Sequence, residues 1–178
     1  PQAALPPWDA EGMPDFSENR EEASRLLAEA GFSRIQDHWV DPQGKKVVLT
    51  LLAGTGTVAR PLAAALARQW KEFGVDVTVE SAPNAVLWWR AGTSLDFDVA
   101  LVGISWEPGN ALGRLRPFLD PVRTPLWKGE EGARAAWERF DASSDRESRV
   151  EAASGIRRAV GAAALLVPLT RRSGCAFA

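Results

Sequence analysis

The 178-residue sequence has no tyrosine, one cysteine, one histidine and one methionine. The single Cys175 excludes an internal disulfide framework and any multi-cysteine metal site. The single His38 excludes a multi-histidine metal centre and would force any Ser-His-Asp or Cys-His catalysis through one residue. It sits in Gln36-Asp37-His38-Trp39-Val40-Asp41-Pro42, which reads as a surface turn leading into a strand. An excess of either charge is also lacking. Lys+Arg 21 against Asp+Glu 23 gives a formal net charge of -2, so no basic field exists to hold a phosphate backbone, and nucleic acid is not an expected partner. No run approaches the roughly 20 continuous apolar residues that span a bilayer. The most apolar stretch, Ala159 to Leu169, is shorter and contains Pro168. The chain opens at Pro1-Gln2-Ala3 without a start Met or a basic-then-apolar leader, so a processed chain or an excised piece is expected.

What is present suits a folded chain. Hydrophobic residues make up 46% and charged residues 25%, near the globular average. The length suits one domain of the usual size, about 100–200 residues. With tyrosine absent, eight Trp beside seven Phe must fill the roles that Trp and Tyr usually share.

Pro1 to Phe16 lacks periodicity and reads as an extended lead-in. A helix follows, with Asn19 as cap, Glu22 completing a capping box and Ala23, Leu26, Leu27 and Ala30 as its apolar stripe; Gly31 ends it and Phe32 packs back. Asp41-Pro42-Gln43-Gly44 is a turn, and 45–52 is a strand apolar enough to be buried on both faces. The loop 53–57 leads to a helix over about 58–73, with Val58, Leu62, Ala65, Leu66, Trp70 and Phe73 on one face and Gly74 as its stop. Residues 75–80 alternate at period two, a strand with one solvated face. Pro83-Asn84 starts a short helix closed by Gly92, and 97–104 is a third strand. Strand, helix, strand, helix, strand is the order of an α/β layer with parallel pairs. Beyond it, Leu112, Leu115 and Phe118 form a weak amphipathic turn. Helices are expected at 132–140 and 146–163, the latter capped by Asp145, and a last edge strand at 165–170.

Gly54-Thr55-Gly56-Thr57 lies between a buried strand and a helix, where phosphate-cradling loops occur, but the P-loop lysine and the third glycine of a dinucleotide fingerprint are missing. A scaffold turn and a ligand loop both fit this position, since α/β folds bind ligands at the carboxyl ends of parallel strands. Gly103-Ile104-Ser105-Trp106-Glu107 occupies the same position after the third strand. Its ring beside a carboxylate suits an organic cation or amine; a Trp that caps the core and a solvated Glu is the simpler reading. Trp88 and Trp89 are adjacent on a helix and point about 100° apart, so one stripe cannot bury both. The charges from Arg134 to Arg158 read as the solvated face of two helices, and Cys175 as a quiet core or edge cysteine.

Five segments, in order, resemble a known family. They are 22–32 (EASRLLAEAGF), Trp39-Val40-Asp41-Pro42-Gln43-Gly44-Lys45 with the strand after it, 69–77 (QWKEFGVDV), 96–103 (DFDVALVG) and Val167-Pro168-Leu169. Together they are similar to the carboxyl-terminal lobe of the extracellular solute-binding proteins of ABC transporters, in the dipeptide, oligopeptide and nickel class. Members are two-lobed exported proteins, lipid-anchored or periplasmic, that close on a solute and dock on a permease. The resemblance implies a single lobe over 1–178, with 1–16 as lead-in, 17–170 as an α/β lobe and 171–178 as a tail toward the other lobe. Its fold would be a mixed, largely parallel sheet flanked by helices, in three layers, like class II periplasmic binding proteins.

The resemblance also implies that Thr55, Gly56 and Thr57 in one loop and Ser105, Trp106 and Glu107 in another line the cleft. Glu107 would anchor a cationic group, Trp106 would pack on the solute and the first loop would donate hydrogen bonds. The family often shows Gly-Trp after the third strand and an Asp a few residues on; here Ile104 replaces the Trp, Trp106 lies two residues later, and Glu107 falls where the acid would be. Arg60 is an approximate stand-in for the arginine that dipeptide binders use for the solute carboxylate. The implied role is non-catalytic binding of a peptide or other small solute at the periplasmic or extracellular face, with no cofactor and no metal. The partners would be an amino-terminal lobe and a permease. A sensing lobe of a regulator and a phosphate-loop enzyme using an Asp or Glu base are the other readings.

Overall fold

The computed structural model describes residues 17–103 and 131–164, with Val167 and Leu169. The chain divides into two compact units, Glu18–Phe118 and a second formed by Pro1–Ser17 with Leu119–Ala178. The amphipathic turn expected at 112–118, the strand expected at 165–170 apart from those two residues, and Cys175 lie outside the described residues.

In the first unit, helix α1 (Arg20–Glu29) starts where Asn19 accepts the Glu22 N–H at 3.0 Å. Only half of the expected capping box forms, because the Glu22 carboxylate turns to Arg25 at 2.5 Å instead. That hydrogen bond holds the Glu22 carboxyl below its ordinary range. Gly31, at φ +87°, ends the helix, with its N–H on the Ala28 carbonyl and the Phe32 N–H on the Leu27 carbonyl.

The expected turn leading into a strand is present, with Gln36-Asp37 as the turn and His38 as the first residue of the strand, and a preceding strand makes it a hairpin. Strands β1 (Ser33–Ile35) and β2 (His38–Val40) pair antiparallel, with His38 opposite Ile35 and Gln36 at φ +54° in the link. Three-residue strands are too short to show alternation, and Gln-Asp lacks the Asn-Gly signature of a tight hairpin. The hairpin delivers Trp39, 4% exposed, onto the end of the next helix.

Strands β3 (Val48–Gly54), β4 (Asp76–Ala82) and β5 (Val99–Leu101) form a parallel sheet in the order β4-β3-β5. Helix α2 (Ala59–Phe73) joins β3 to β4, and α3 (Asn84–Gly92) joins β4 to β5. Successive strand residues face opposite ways. Leu51 and Ala53 pack with Ala63 and Leu66 of α2, whereas Leu52 packs with Leu87 and Trp88 of α3. One helix therefore covers each face, which gives the expected three layers. The β3 strand is fully buried only in its second half; Val48 is 52% exposed, so burial on both faces is reached from Leu51 onward. On α2 the buried residue is Ala63, flanked by the half-buried Leu62, Ala65, Leu66, Trp70 and Phe73, while Val58 stays 47% exposed outside that stripe.

Asp98 closes the gap where β5 begins. Its carboxylate accepts the Thr50 N–H at 2.7 Å while its own N–H reaches the Thr50 carbonyl at 3.1 Å, extending the ladder one residue before Val99.

In the second unit, α4 (Glu131–Ala142) and α5 (Arg146–Ala162) pack as a helical pair, with Asp145 accepting the Ser148 N–H at 2.8 Å as the expected cap. Ala136, Trp137, Ala152, Ile156 and Val160 are buried. Gly155 faces the partner helix, where a Cβ would meet the Ala136 Cβ at an ordinary contact distance of 3.4 Å.

Candidate functional site

The strand order itself locates a site. From β3 the chain crosses to β4 on one side of β3 and then to β5 on the other. Where successive connections leave in opposite directions, the loops at the carboxyl ends of adjacent strands part and leave a crevice. Here that point lies between β3 and β5, whose registered pairs run as far as Ala53 with Leu101. The two loops singled out in the sequence are the ones that leave these strand ends.

In the first, Thr55, Gly56 and Thr57 are all exposed, and a Cβ on Gly56 would meet nothing within 4 Å among the described residues. The Thr55 and Thr57 side chains make no hydrogen bond among the described residues. In the second, the described residues stop at Gly103, exposed and equally open. Ser105, Trp106 and Glu107 lie outside the described residues.

The helices that start here leave their first turns electropositive. Val58 and Pro83, at the two N-cap positions, provide no side-chain cap, and neither α2 nor α3 has an acidic residue in its first turn. The Arg60 N–H is taken by the Gly56 carbonyl at 3.2 Å, and it is the positive ends of the two helix dipoles that favour an oxygen-rich or anionic group. Arg60, in the first turn of α2, is exposed and adds to this field. The groups nearest to where a Cβ on Gly54 would stand are Asn84, Ala59 and Leu87.

Asn84 is the residue the sequence reading passed over as a site. It opens α3, yet its Oδ1 lies 3.1 Å from where a Cβ on Gly54 would stand. Glycine at the end of a buried strand was the available signal, since it often marks a close approach.

Other features of the first unit are structural. Arg90, its side chain 15% exposed, reaches Glu80 of β4 and Asp96 before β5, each at 2.8 Å, and so ties α3 to both strands. Hydrogen bonds from Arg90 and then Ser94 hold the Asp96 carboxyl below its ordinary range. A shallow depression lined by Val48, Arg68, Lys71, Asp76 and Thr78 lies at the amino ends of the strands, opposite the candidate loops. There Lys46 pairs with Asp76 at 2.6 Å and lowers its pKa. Among the described residues no His, Cys, Asp and Glu cluster could hold a metal ion, and no helix is long and apolar enough to cross a membrane.

Comparison with solved structures supports the fold. The chain is similar to the oligopeptide-binding protein AppA of Bacillus subtilis, solved with a nonapeptide, at TM-score 0.67 and 23% identity over 87% of this chain and 32% of that one. It is similar to the periplasmic binding protein MelB of Agrobacterium fabrum, solved with stachyose, at TM-score 0.68 and 21% identity over 83% of this chain and 25% of that one. NikA of Brucella suis, solved with Fe(III)-EDTA, matches at TM-score 0.67 and 18% identity over 87% of this chain and 32% of that one. The chain thus spans about a third or less of each of these proteins. No curated protein sequence matches it. The model of bacterial extracellular solute-binding proteins, family 5 Middle, matches residues 1–125, and the chain belongs to that family.

Proposed function

We propose that this chain forms one wall of the solute cleft in an ABC importer's binding protein, with a small peptide as solute, and that it performs no catalysis. The observation that supports the reading is the strand order β4-β3-β5, a switch point of the kind at which α/β folds bind ligands, at the strand end where the Thr55–Thr57 loop begins. In this reading Thr55, Gly56 and Thr57 donate hydrogen bonds to the solute. Glu107 anchors its cationic group and Ser105 and Trp106 line the opposite loop, with Trp106 packing against it. The uncapped starts of α2 and α3 and the exposed Arg60 suit the carbonyl and carboxylate oxygens of a peptide. The relatives' oligopeptide, oligosaccharide and chelate ligands define the competing solutes. The setting is the periplasmic or extracellular face, and the partners are a second lobe and a permease.

Titrating the isotope-labelled chain with di- to hexapeptides, and following its backbone amides by NMR, tests this. Peptide-dependent shifts are expected at Thr55–Thr57 and at Ser105–Glu107. Shifts with an oligosaccharide or a metal chelate but with no peptide would remove the peptide reading. Silence of both loops to every probe would remove the site.

A further inference from the structure

We infer that Asn84 is a further solute-contacting residue of the cleft wall and that its amide reads an amide group of the solute; this rests on the cleft reading above. Asn84 does not cap its helix, because Pro83 occupies the N-cap position of α3. Its side chain lies instead across the end of β3. With Oδ1 at 3.1 Å from the place of a residue-54 Cβ, it fits there because Gly54 has no side chain. Helix α3 thus brings a polar group from the second crossover to within one residue of Thr55. Asn84 is exposed, and its amide makes no hydrogen bond among the described residues.

A carboxamide presents N–H donors and a carbonyl acceptor side by side in one plane. An extended peptide presents the complementary pair as the N–H and C=O of one residue, which point to the same side, whereas a lone ammonium offers only donors and a carboxylate only acceptors. Beside Thr55 and Thr57, whose hydroxyls make no hydrogen bond among the described residues, the Asn84 amide adds a planar donor–acceptor pair that matches the N–H and C=O of one residue of an extended peptide.

The test uses the whole labelled 178-residue chain with triglycine and, separately, maltotriose as probes, following the Asn84 side-chain NH2 pair together with the Thr55–Thr57 amides. Triglycine is expected to shift both sets. Asn84→Ala is expected to weaken triglycine binding by about two- to tenfold, the value of a neutral hydrogen bond or two. Gly54→Ala keeps the amide but pushes it off the strand end, so it should weaken binding in the same direction. Shifts at Thr55–Thr57 with Asn84 silent, or an unchanged affinity in Asn84→Ala, would overturn the role of Asn84 and leave the cleft reading standing. A response of the Asn84 amide to maltotriose with triglycine inert would overturn amide recognition. Silence at both sets with both probes would overturn this inference and the cleft reading together.

Discussion

Gly74 and Gly44 share a backbone sign but not an environment, and the difference makes a residue-level prediction. Both have positive φ, +97° and +79°. A Cβ on Gly74 would stand 2.7 Å from the Asp37 carbonyl oxygen and 3.3 Å from Trp39, whereas one on Gly44 would meet nothing within 4 Å. The Asp37 carbonyl cannot retreat, because Trp39 holds the hairpin in place: its N–H reaches the Gly74 carbonyl at 2.9 Å and its indole donates to the Phe73 carbonyl at 3.0 Å. Gly44→Ala should therefore cost only the left-handed penalty, about 1–2 kcal/mol, while Gly74→Ala adds a backbone clash and should cost more. Urea midpoints of the two variants check this; equal losses would contradict it. The tryptophans divide in a related way. Trp39 and Trp137 are each 4% exposed, and Trp88 packs in the core beside Leu52 and Leu87, while Trp89 is 60% exposed. Adjacent helical residues pointing about 100° apart made the split between Trp88 and Trp89 legible in the sequence. The role of Trp39 was not legible, since it depends on a contact with residues more than thirty positions away in the chain.

At the scale of elements, the three parallel strands and the two crossover helices were readable as apolar runs, as a period-two strand and as a helical stripe, set off by glycines and prolines. The β1–β2 hairpin was not, because its three-residue strands, unlike the equally short β5, lie in no apolar run and its Gln-Asp link lacks a tight-turn signature. The clamp on α3 was equally hidden, since Glu80 and Asp96 are polar residues whose shared partner is set by the fold. This clamp makes a prediction about acid. Asp96, hydrogen-bonded to Arg90, has a folded pKa below its ordinary value. The unfolded chain therefore takes up the proton first, so the stabilisation is present above the unfolded carboxylate value of about 3.9 and is lost as pH falls through the folded value. Arg90→Met removes the largest cause of this pH dependence and leaves the smaller one from Ser94. The variant should be less stable than the parent at neutral pH, and the gap should narrow on acidification. Urea midpoints by circular dichroism from neutral pH to below 3 measure it; a gap that stays constant would show that Arg90 acts through packing alone. Helix α1 gives a second element-level expectation. It has no buried residue, and Leu26 is 51% exposed, whereas Leu51 and Leu52 at the centre of β3 are fully buried. Amide exchange should be fastest in α1 and slowest in β3, and the reverse order would displace β3 from the centre of the core.

For the whole molecule, the family was legible because its recurring segments build the scaffold. Trp39, Phe73 and Gly74, from two of the segments that carried the resemblance, meet at the amino ends of the strands. The candidate site sits at the other end of the sheet, on exposed loops that pack against little of the scaffold, which is why the scaffold could be read more closely than the site. That geometry limits how tightly the chain can bind. Solute pockets bury most of their ligand's surface, and in the proposed reading this chain supplies a single wall. The chain also spans only 32% of the AppA chain that was solved with a nonapeptide. A peptide on one wall keeps much of its surface in water while still losing its translational freedom, so its dissociation constant for this chain should be on the order of a millimolar. The NMR titration that maps the contacts also yields this constant. Submicromolar binding by these 178 residues alone would mean that the chain encloses its solute, and the one-wall reading would fall.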